Sequence, residues 1–338
     1  MRIATYNVEW MGNLFDDAGA LLEDERWSGR RDVTRAQQLR ALKRVFREVD
    51  ADAVMVIEAP DGHKRRDGEA ALRNFADWAG LRTREALMGY VNETQQEIAL
   101  LYDPDALTVE HDPKGPTSEA AEAPRFDGSF RIDLDVDDAP DVVRWSKPPL
   151  ELECRTAGGF RFRMIGVHAK SKAPYGVKGK AAIMRLAIAN RRKQLAQCIW
   201  LRRRVDEHLA EGDPLIVLGD FNDGPGLDEY ERLFGRSGVE IVLGEEAQTA
   251  LYDHHAALAM QRRFGVMPAS ARFWVAQEER WMQTLIDYVM VSPDLRAKGG
   301  AWRIWHPFED RACYECDDLR DALLTGSDHF PVSLDIDI

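Results

Sequence analysis

Seven residues could do chemistry together: Asn7, Glu58, Asp220, Asn222, Asp287, Asp328 and His329, with His168 as a second imidazole. Each carboxylate or amide stands inside a short apolar run or at its end, as in ATYNVEW, VMVIEAP, LIVLGDFND, LIDYVMV and GSDHFPV. Burying an unpaired carboxylate is costly. Several at one place become tolerable when a cation sits among them, and hard divalent ions such as Mg²⁺ or Mn²⁺ prefer oxygen donors. Imidazoles titrate near neutrality and can move or hold a proton. Each residue has an ordinary structural alternative: Asn7 closing a turn, Glu58 capping a loop, Asp287 pairing with an arginine. Recurrence at the same kind of place argues against all of these at once.

The elements that must carry these residues are legible. Short Val- and Ile-rich runs bounded by turn residues read as buried strands over Ile3–Val8, Ala53–Ile57, Leu215–Leu218 and Leu285–Val291. From Val332 the apolar residues alternate with Ser333, Asp335 and Asp337, which predicts a half-buried strand. Ile98–Tyr102 and Phe160–Val167 read as further strands. Helical spacing marks Thr34–Val49, Glu69–Ala79 and one long helix from about Ala181 to about Leu209. The Pro-, Gly- and acid-rich stretch Asp112–Pro149 reads as long loops around a strand or two. No linker divides the chain, so the expectation is one mixed α/β domain over residues 1–338.

The chain has 338 residues, 45% of them hydrophobic, enough for a full core. No apolar run approaches the ~20 residues that span a bilayer, and the N-terminus already reads as a strand rather than a signal peptide. Neither a membrane anchor nor a partner protein is expected. Four cysteines make no disulfide framework, which suits a cytoplasmic setting. The net charge of −13 argues against a uniformly basic surface, yet Arg161–Arg204 holds 13 Lys and Arg and no Asp or Glu. Such a local basic stretch on an acidic body suits phosphate at one place. Solvated helix arginines account for part of it, less so for Lys170, Lys172, Lys178 and Lys180.

The motifs TYNVEW, VIEAP, GVHAKSK, LGDFND, IDYVMVS and GSDHFPV together resemble the endonuclease/exonuclease/phosphatase superfamily, the deoxyribonuclease-I-like fold, in order from residue 3 to residue 332. HAKSK is similar to a bacterial branch that reads HLKSK. The resemblance implies a four-layer α/β/β/α sandwich, with two mainly antiparallel β-sheets face to face and helices outside. It also implies hydrolysis of a phosphoester that depends on Mg²⁺ or Mn²⁺. Glu58 would be the principal metal ligand, with Asn7 and Asp328 close by. Asp220 and Asn222 would position the attacking water and the phosphate, His329 would bind a phosphate oxygen or act as base, and Asp287 would hold its imidazole. His168 would bind phosphate from the other side, and Lys170 and Lys172 would contact substrate. Departing from the pattern, Ile57 stands where the family usually has Gln. Glu97 is a candidate partner for His168, Glu9 a further ligand, and Arg192 a phosphate contact or an exposed helix residue.

Other signals are weaker. Cys313 and Cys316 form a lone C-x-x-C with only His306 near, short of the ligands zinc needs. His254-His255 suit a loop at a structural or rim position, and Phe273, Trp274 and Trp281 suit core packing more than a base-stacking rim. The function expected is a metal-dependent phosphodiesterase acting as a nuclease on nucleic acid. The alternatives are a phosphatase or phospholipase-type enzyme acting on a small phosphoester, or a scaffold without activity. The scaffold is disfavoured because every principal position carries a competent residue.

Overall fold

A computed structural model describes residues 1–338 except 91, 93, 119–120, 135–140, 175, 178, 227–234, 247, 262–266 and 276–278. Lys178 therefore lies outside the described residues. Two sheets dominate. The first is six-stranded, in the order β14 (Ala301–Ile304), β15 (Val332–Asp335), β1 (Arg2–Asn7), β2 (Ala53–Ala59), β4 (Glu97–Tyr102), β3 (Glu85–Met88). The second is five-stranded: β13 (Asp287–Val291), β10 (Leu215–Asp220), β9 (Arg161–His168), β8 (Leu150–Thr156), β5 (Leu107–His111). Each sheet holds one parallel pair, β1 with β2 and β9 with β10, and is otherwise antiparallel. A parallel pair needs a crossover, and α1 (Arg35–Val49) and α3 (Lys180–Glu211) supply the two.

The layers follow from alternation along strands buried on both faces. Ile3, Met55, Ile57, Ile98 and Leu100 of the first sheet meet Leu150, Met164, Ile216, Leu218 and Val289 of the second in a central core. The intervening residues point outward. Tyr6, Val54 and Val56 pack under α1, α2 (Gly68–Ala79) and α8 (Asp317–Gly326), against Leu39, Phe46, Phe75 and Leu323. Ile165, Val167 and Val217 pack against Trp200, Leu201 and Val205 of α3. The four-layer sandwich expected from the motifs is the observed architecture. The shorter helices α4 (Gly238–Leu243), α5 (His254–Gln261), α6 (Pro293–Ala297) and α7 (Arg311–Glu315) lie in connections, and two hairpins stand apart from the sheets: β6 (Phe130–Ile132) with β7 (Asp141–Val143), and β11 (Ala271–Val275) with β12 (Arg280–Thr284). Among the described residues no helix is long and apolar enough to cross a membrane.

Local chemistry explains the boundaries. Thr34 caps α1 in a reciprocal box, accepting from the Gln37 backbone at 3.3 Å while the Gln37 side chain accepts from Thr34 at 2.8 Å. α3 runs 32 residues without Pro or Gly and stops at Gly212, whose φ of 78° is left-handed.

Several expectations change. β15 is not half-buried: it lies between β14 and β1, and Ser333 on its polar face is buried, accepting from Trp305 Nε1 at 3.0 Å. Trp274 and Trp281 are not core residues but an exposed pair on the β11–β12 hairpin, 40% and 49% accessible. His254 and His255 open helix α5 rather than a loop. The basic stretch is partly structural: Arg204 is buried against Glu151, and Arg202 binds the carbonyls of Val242 and Leu243. Arg192 pairs with Asp141 at 2.9 Å. Cys313 and Cys316 lie against different arginines, Arg303 and Arg44, and join no metal-ligand cluster among the described residues.

Candidate active site

The expected residues gather where the strands of both sheets end on one side. β1 and β2 are parallel, with Asn7 opposite Ile57, so Asn7 and Glu58 emerge together. β15 runs antiparallel to β1, so the Asp328-His329 turn before it arrives at the same rim. In the second sheet Asp220 is the register partner of both His168 and Asp287. Gly219 makes that approach possible. Its φ is 137°, and a Cβ there would lie 2.0 Å from the Val167 carbonyl oxygen.

Asp220 is the hub joining the sheets. Its Oδ2 accepts from Asn7 Nδ2 at 3.1 Å and Asn222 Nδ2 at 3.0 Å, and its Oδ1 accepts from the Asn222 backbone at 2.7 Å. Asn222 adopts φ 51°, the left-handed turn that folds its amide back. Burial, reinforced by the Asp287 charge, pushes the Asp220 carboxyl up to about 7. His168 Nε2 stands 3.6 Å and His329 Nε2 4.0 Å from Asp220 Oδ2.

Asp287 is the buried partner of His329, with Oδ2 2.8 Å from Nδ1. Ser270 fixes it, donating to the same Oδ2 at 2.7 Å while its Oγ accepts from the Asp287 backbone at 2.9 Å. Burial alone would lower the His329 pKa, but Asp287, Asp220 and Asp328 together raise it well above the ordinary imidazole value. His329 thus keeps its proton where an ordinary histidine would lose it. The base of the β11–β12 hairpin is built onto this pair: Ala271 bridges His329, and the Arg272 amide donates to the Asp328 carbonyl at 2.7 Å.

Glu58 sits in a bulge of β2 with φ 62°, and its carboxylate accepts from the Trp10 amide at 2.9 Å. Glu9 and Trp10 are left-handed as well, at φ 47° and 60°. Each such residue costs about 1 kcal/mol or more, which persists only where the surroundings enforce it. Glu9 is half-buried and paired rather than turned out to solvent. It pairs with Arg30 and accepts from the Asp328 amide at 3.0 Å. One short loop after β1 thereby ties Glu58 to Asp328.

On the opposite wall the sequence reading missed a residue. Lys147, in the loop before β8, places Nζ 2.8 Å from His168 Nε2. Burial lowers its pKa to about 8, although Glu58 and Asp220 oppose that. Burial, aided by Lys147, holds His168 well below its ordinary value, so it is neutral and its Nε2 accepts from the ammonium. The only local signal was a lysine between Trp145 and two prolines in a stretch read as loops. Glu97 is not joined to His168: its carboxylate accepts from the Asn92 amide at 3.1 Å, and His168 Nδ1 is buried without a partner. Lys172 is tied to the buried Asp223, which also caps α4. Lys170 stays near, its charge acting on both His168 and Lys147.

The tightest group is Asp220, Asp287 and His329, whose ligand atoms all lie within 4.8 Å of one another. Its internal hydrogen bond accounts for that closeness. Glu58 and Asp328 are only half-buried and offer hard oxygen donors beside Asn7. Glu58 accepts from the Trp10 amide and Glu9 from the Asp328 amide, so these two carboxylates flank one loop beside Asp328, and oxygen donors of this kind suit a divalent ion such as Mg²⁺ or Mn²⁺.

Residues 4–329 match the family described as the Endonuclease/Exonuclease/phosphatase family. None of the curated proteins matches the sequence. Among solved structures, the chain is similar to a 3′-5′ exonuclease (NExo) from Neisseria meningitidis, with TM-score 0.52, 15% identity and 100% of both chains covered. Truncated Caenorhabditis elegans TDP2 is similar at TM-score 0.50 and 14% identity, over 98% of this chain and 96% of that one. A third, the 3′ phosphatase NExo from Neisseria in a substituted form bound to product DNA hairpin, gives 0.51 and 15%, again over 100% of both. At these identities the likeness is one of fold.

Proposed function

The chain belongs to the endonuclease/exonuclease/phosphatase family, a family of phosphoester hydrolases, and from that premise we propose that residues 1–338 form one catalytic unit, a divalent-metal-dependent phosphodiesterase acting as a nuclease. The observation that carries the reading is the buried Asp287–His329 pair set against the Asn7–Asp220–Asn222 network. Nothing in packing requires two carboxylates, two imidazoles and an ammonium at the meeting point of two sheets. Hydrolysis of a phosphoester can use all five.

Glu58, Asp328 and Asn7 would hold the metal, which supplies positive charge to the non-bridging and leaving oxygens. Asp220, with a pKa near 7, takes the proton from the attacking water, oriented by Asn222. The water oxygen bonds to phosphorus, the bond to the leaving oxygen breaks, and that oxygen is reprotonated from solvent. His329, kept protonated by Asp287, donates to a phosphate oxygen. His168 and Lys147 face the phosphate from the second sheet.

The test is hydrolysis of a small chromogenic phosphodiester, single-stranded and duplex DNA, RNA and inositol phosphates, with Mg²⁺ or Mn²⁺ and with chelator. Diester and nucleic-acid turnover that needs the metal and is lost in Asp220→Ala and His329→Ala is expected. Turnover of phosphomonoesters alone would make the protein a phosphatase. No turnover on any substrate, or turnover surviving both substitutions, would sink the reading.

A further inference from the structure

Lys170 and Lys193 are both half-buried, and the Lys193 charge bears on Lys170. Two cations held together in a partly desolvated place are costly unless an anion joins them. The position is built rather than incidental. Gln197 of α3 accepts from the Lys170 amide at 2.9 Å and donates to the Arg144 carbonyl at 3.3 Å, while Gln194 donates to the Lys170 carbonyl at 2.9 Å. The buried side chains of these two glutamines therefore hold the backbones of Lys170 and Arg144 against α3, the helix that carries Lys193.

Beyond Lys193 lies a groove of about 650 Å³ between β7 and the first turns of α3, where Arg144, Arg185, Arg192 and Lys193 stand over an apolar floor of Val143 and Ile188, with Asp141 the one carboxylate among the described lining residues. Asp141 is taken up by Arg192. Arg144 and Arg185 are exposed. At the other end the track reaches the candidate centre, since Lys170 follows His168 by two residues and His168 touches Lys147. Positive charge thus recurs from Lys147 beside the neutral His168, through Lys170 and Lys193, to Arg144 and Arg185 in the groove, on a chain of net charge −13.

We propose that this groove carries the phosphodiester backbone of a nucleic-acid strand away from the scissile phosphate, so that the substrate is a polynucleotide rather than a single small phosphoester. The inference deepens the phosphodiesterase reading and rests on it for the meaning of the site. Spacing favours a strand: one small phosphate would be served by Lys147 and His168 alone, whereas a row of guanidinium and ammonium groups extending outward serves successive phosphates.

The test separates binding from turnover. Fluorescence anisotropy of a labelled single-stranded 20-mer, with metal chelated, is read across salt concentrations for the full chain and for Arg144→Gln/Arg185→Gln/Lys193→Gln. Each lost contact to a single strand removes ~0.7 from the slope of log K against log salt. The slope is expected to fall by about 2 for the three charges, and activity on the 20-mer is expected to drop at least tenfold more than on a small chromogenic diester. Should the triple variant fold poorly by circular dichroism, Arg144→Gln/Arg185→Gln, both exposed, must still lower the slope by about 1. An unchanged slope, an equal fall on both substrates, or competition by phosphatidylserine vesicles but not by unlabelled strand would overturn the proposal. Turnover of the small diester with an unchanged slope refutes the groove and leaves the phosphodiesterase. Groove-dependent binding without any turnover refutes the phosphodiesterase alone.

Discussion

At the scale of single residues the centre depends on a proton held in place. His329 is kept charged by Asp287, whose Oδ1 is buried and unpartnered and whose Oδ2 carries both the imidazole and Ser270. Substituting Asp287→Asn removes a charge that raises the imidazole pKa, so the alkaline limb of the pH–rate profile should move to lower pH. The rate at neutral pH should fall on the order of 10²-fold or more, the scale of a lost acid–base contribution. An unchanged profile would show that the pair does not act in turnover. SDHF and LIDY marked two charged positions at buried strands, and the pairing itself followed from the family resemblance rather than from either segment. Lys147 was not legible: a lysine in an irregular loop carries no periodicity, and only the fold sets its ammonium on His168.

At the scale of elements, position within the sheet decided what pattern alone left open. The alternation from Val332 reads as a strand with one wet face, yet β14 pairs with β15 and Trp305, just after β14, covers that face. Ser333 then becomes a buried acceptor for Trp305 Nε1. Ser333→Ala strands that indole N–H and should cost about 1–3 kcal/mol, read as a lower urea midpoint with an unchanged slope. A midpoint within error of the parent would mean that water replaces the hydroxyl. The aromatic hairpin erred the other way. Phe273, Trp274 and Trp281 look like core residues by type, but the β11–β12 hairpin joins the rest only at its base, through Ala271 and Arg272, and Trp274 and Trp281 further out stay exposed.

For the whole molecule, the face-to-face sheets make the site, and their closeness has a visible limit. A Cβ on Gly166 of β9 would lie 2.4 Å from Met55 Sδ and 2.9 Å from Ile98 Cγ2 of the opposite sheet. Gly166→Ala should destabilise by about 1–3 kcal/mol through overpacking, and adding Met55→Ala should recover part of it. Strict additivity of the two would contradict this contact. Global stability should also respond to acid through His306. Its Nδ1 accepts from the amides of Phe308 and Glu309, and burial, aided by the Arg272 charge, lowers its pKa to about 4. The unfolded chain binds a proton near 6.5, so this stabilisation is complete above that pH and is lost as pH falls towards 4. His306→Asn, which keeps an acceptor but cannot titrate, should lose less stability between pH 6.5 and 4 than the parent does. Equal losses would assign the acid sensitivity to other groups.

By itself the sequence determined the central strands, the crossover helices, a mixed α/β class and most of the polar residues that meet at the rim, but not β3, β5, β8 or β14. Buried strands must be continuously apolar, and polar residues at their ends are exceptions that local pattern exposes. Tertiary structure alone decided which faces stay dry, which basic residues are spent on internal pairs, and that Lys147 and Lys170 stand at the centre while Lys172 is tied to Asp223. Those outcomes depend on contacts between segments far apart in the chain, and no spacing along one segment encodes a partner that another segment brings.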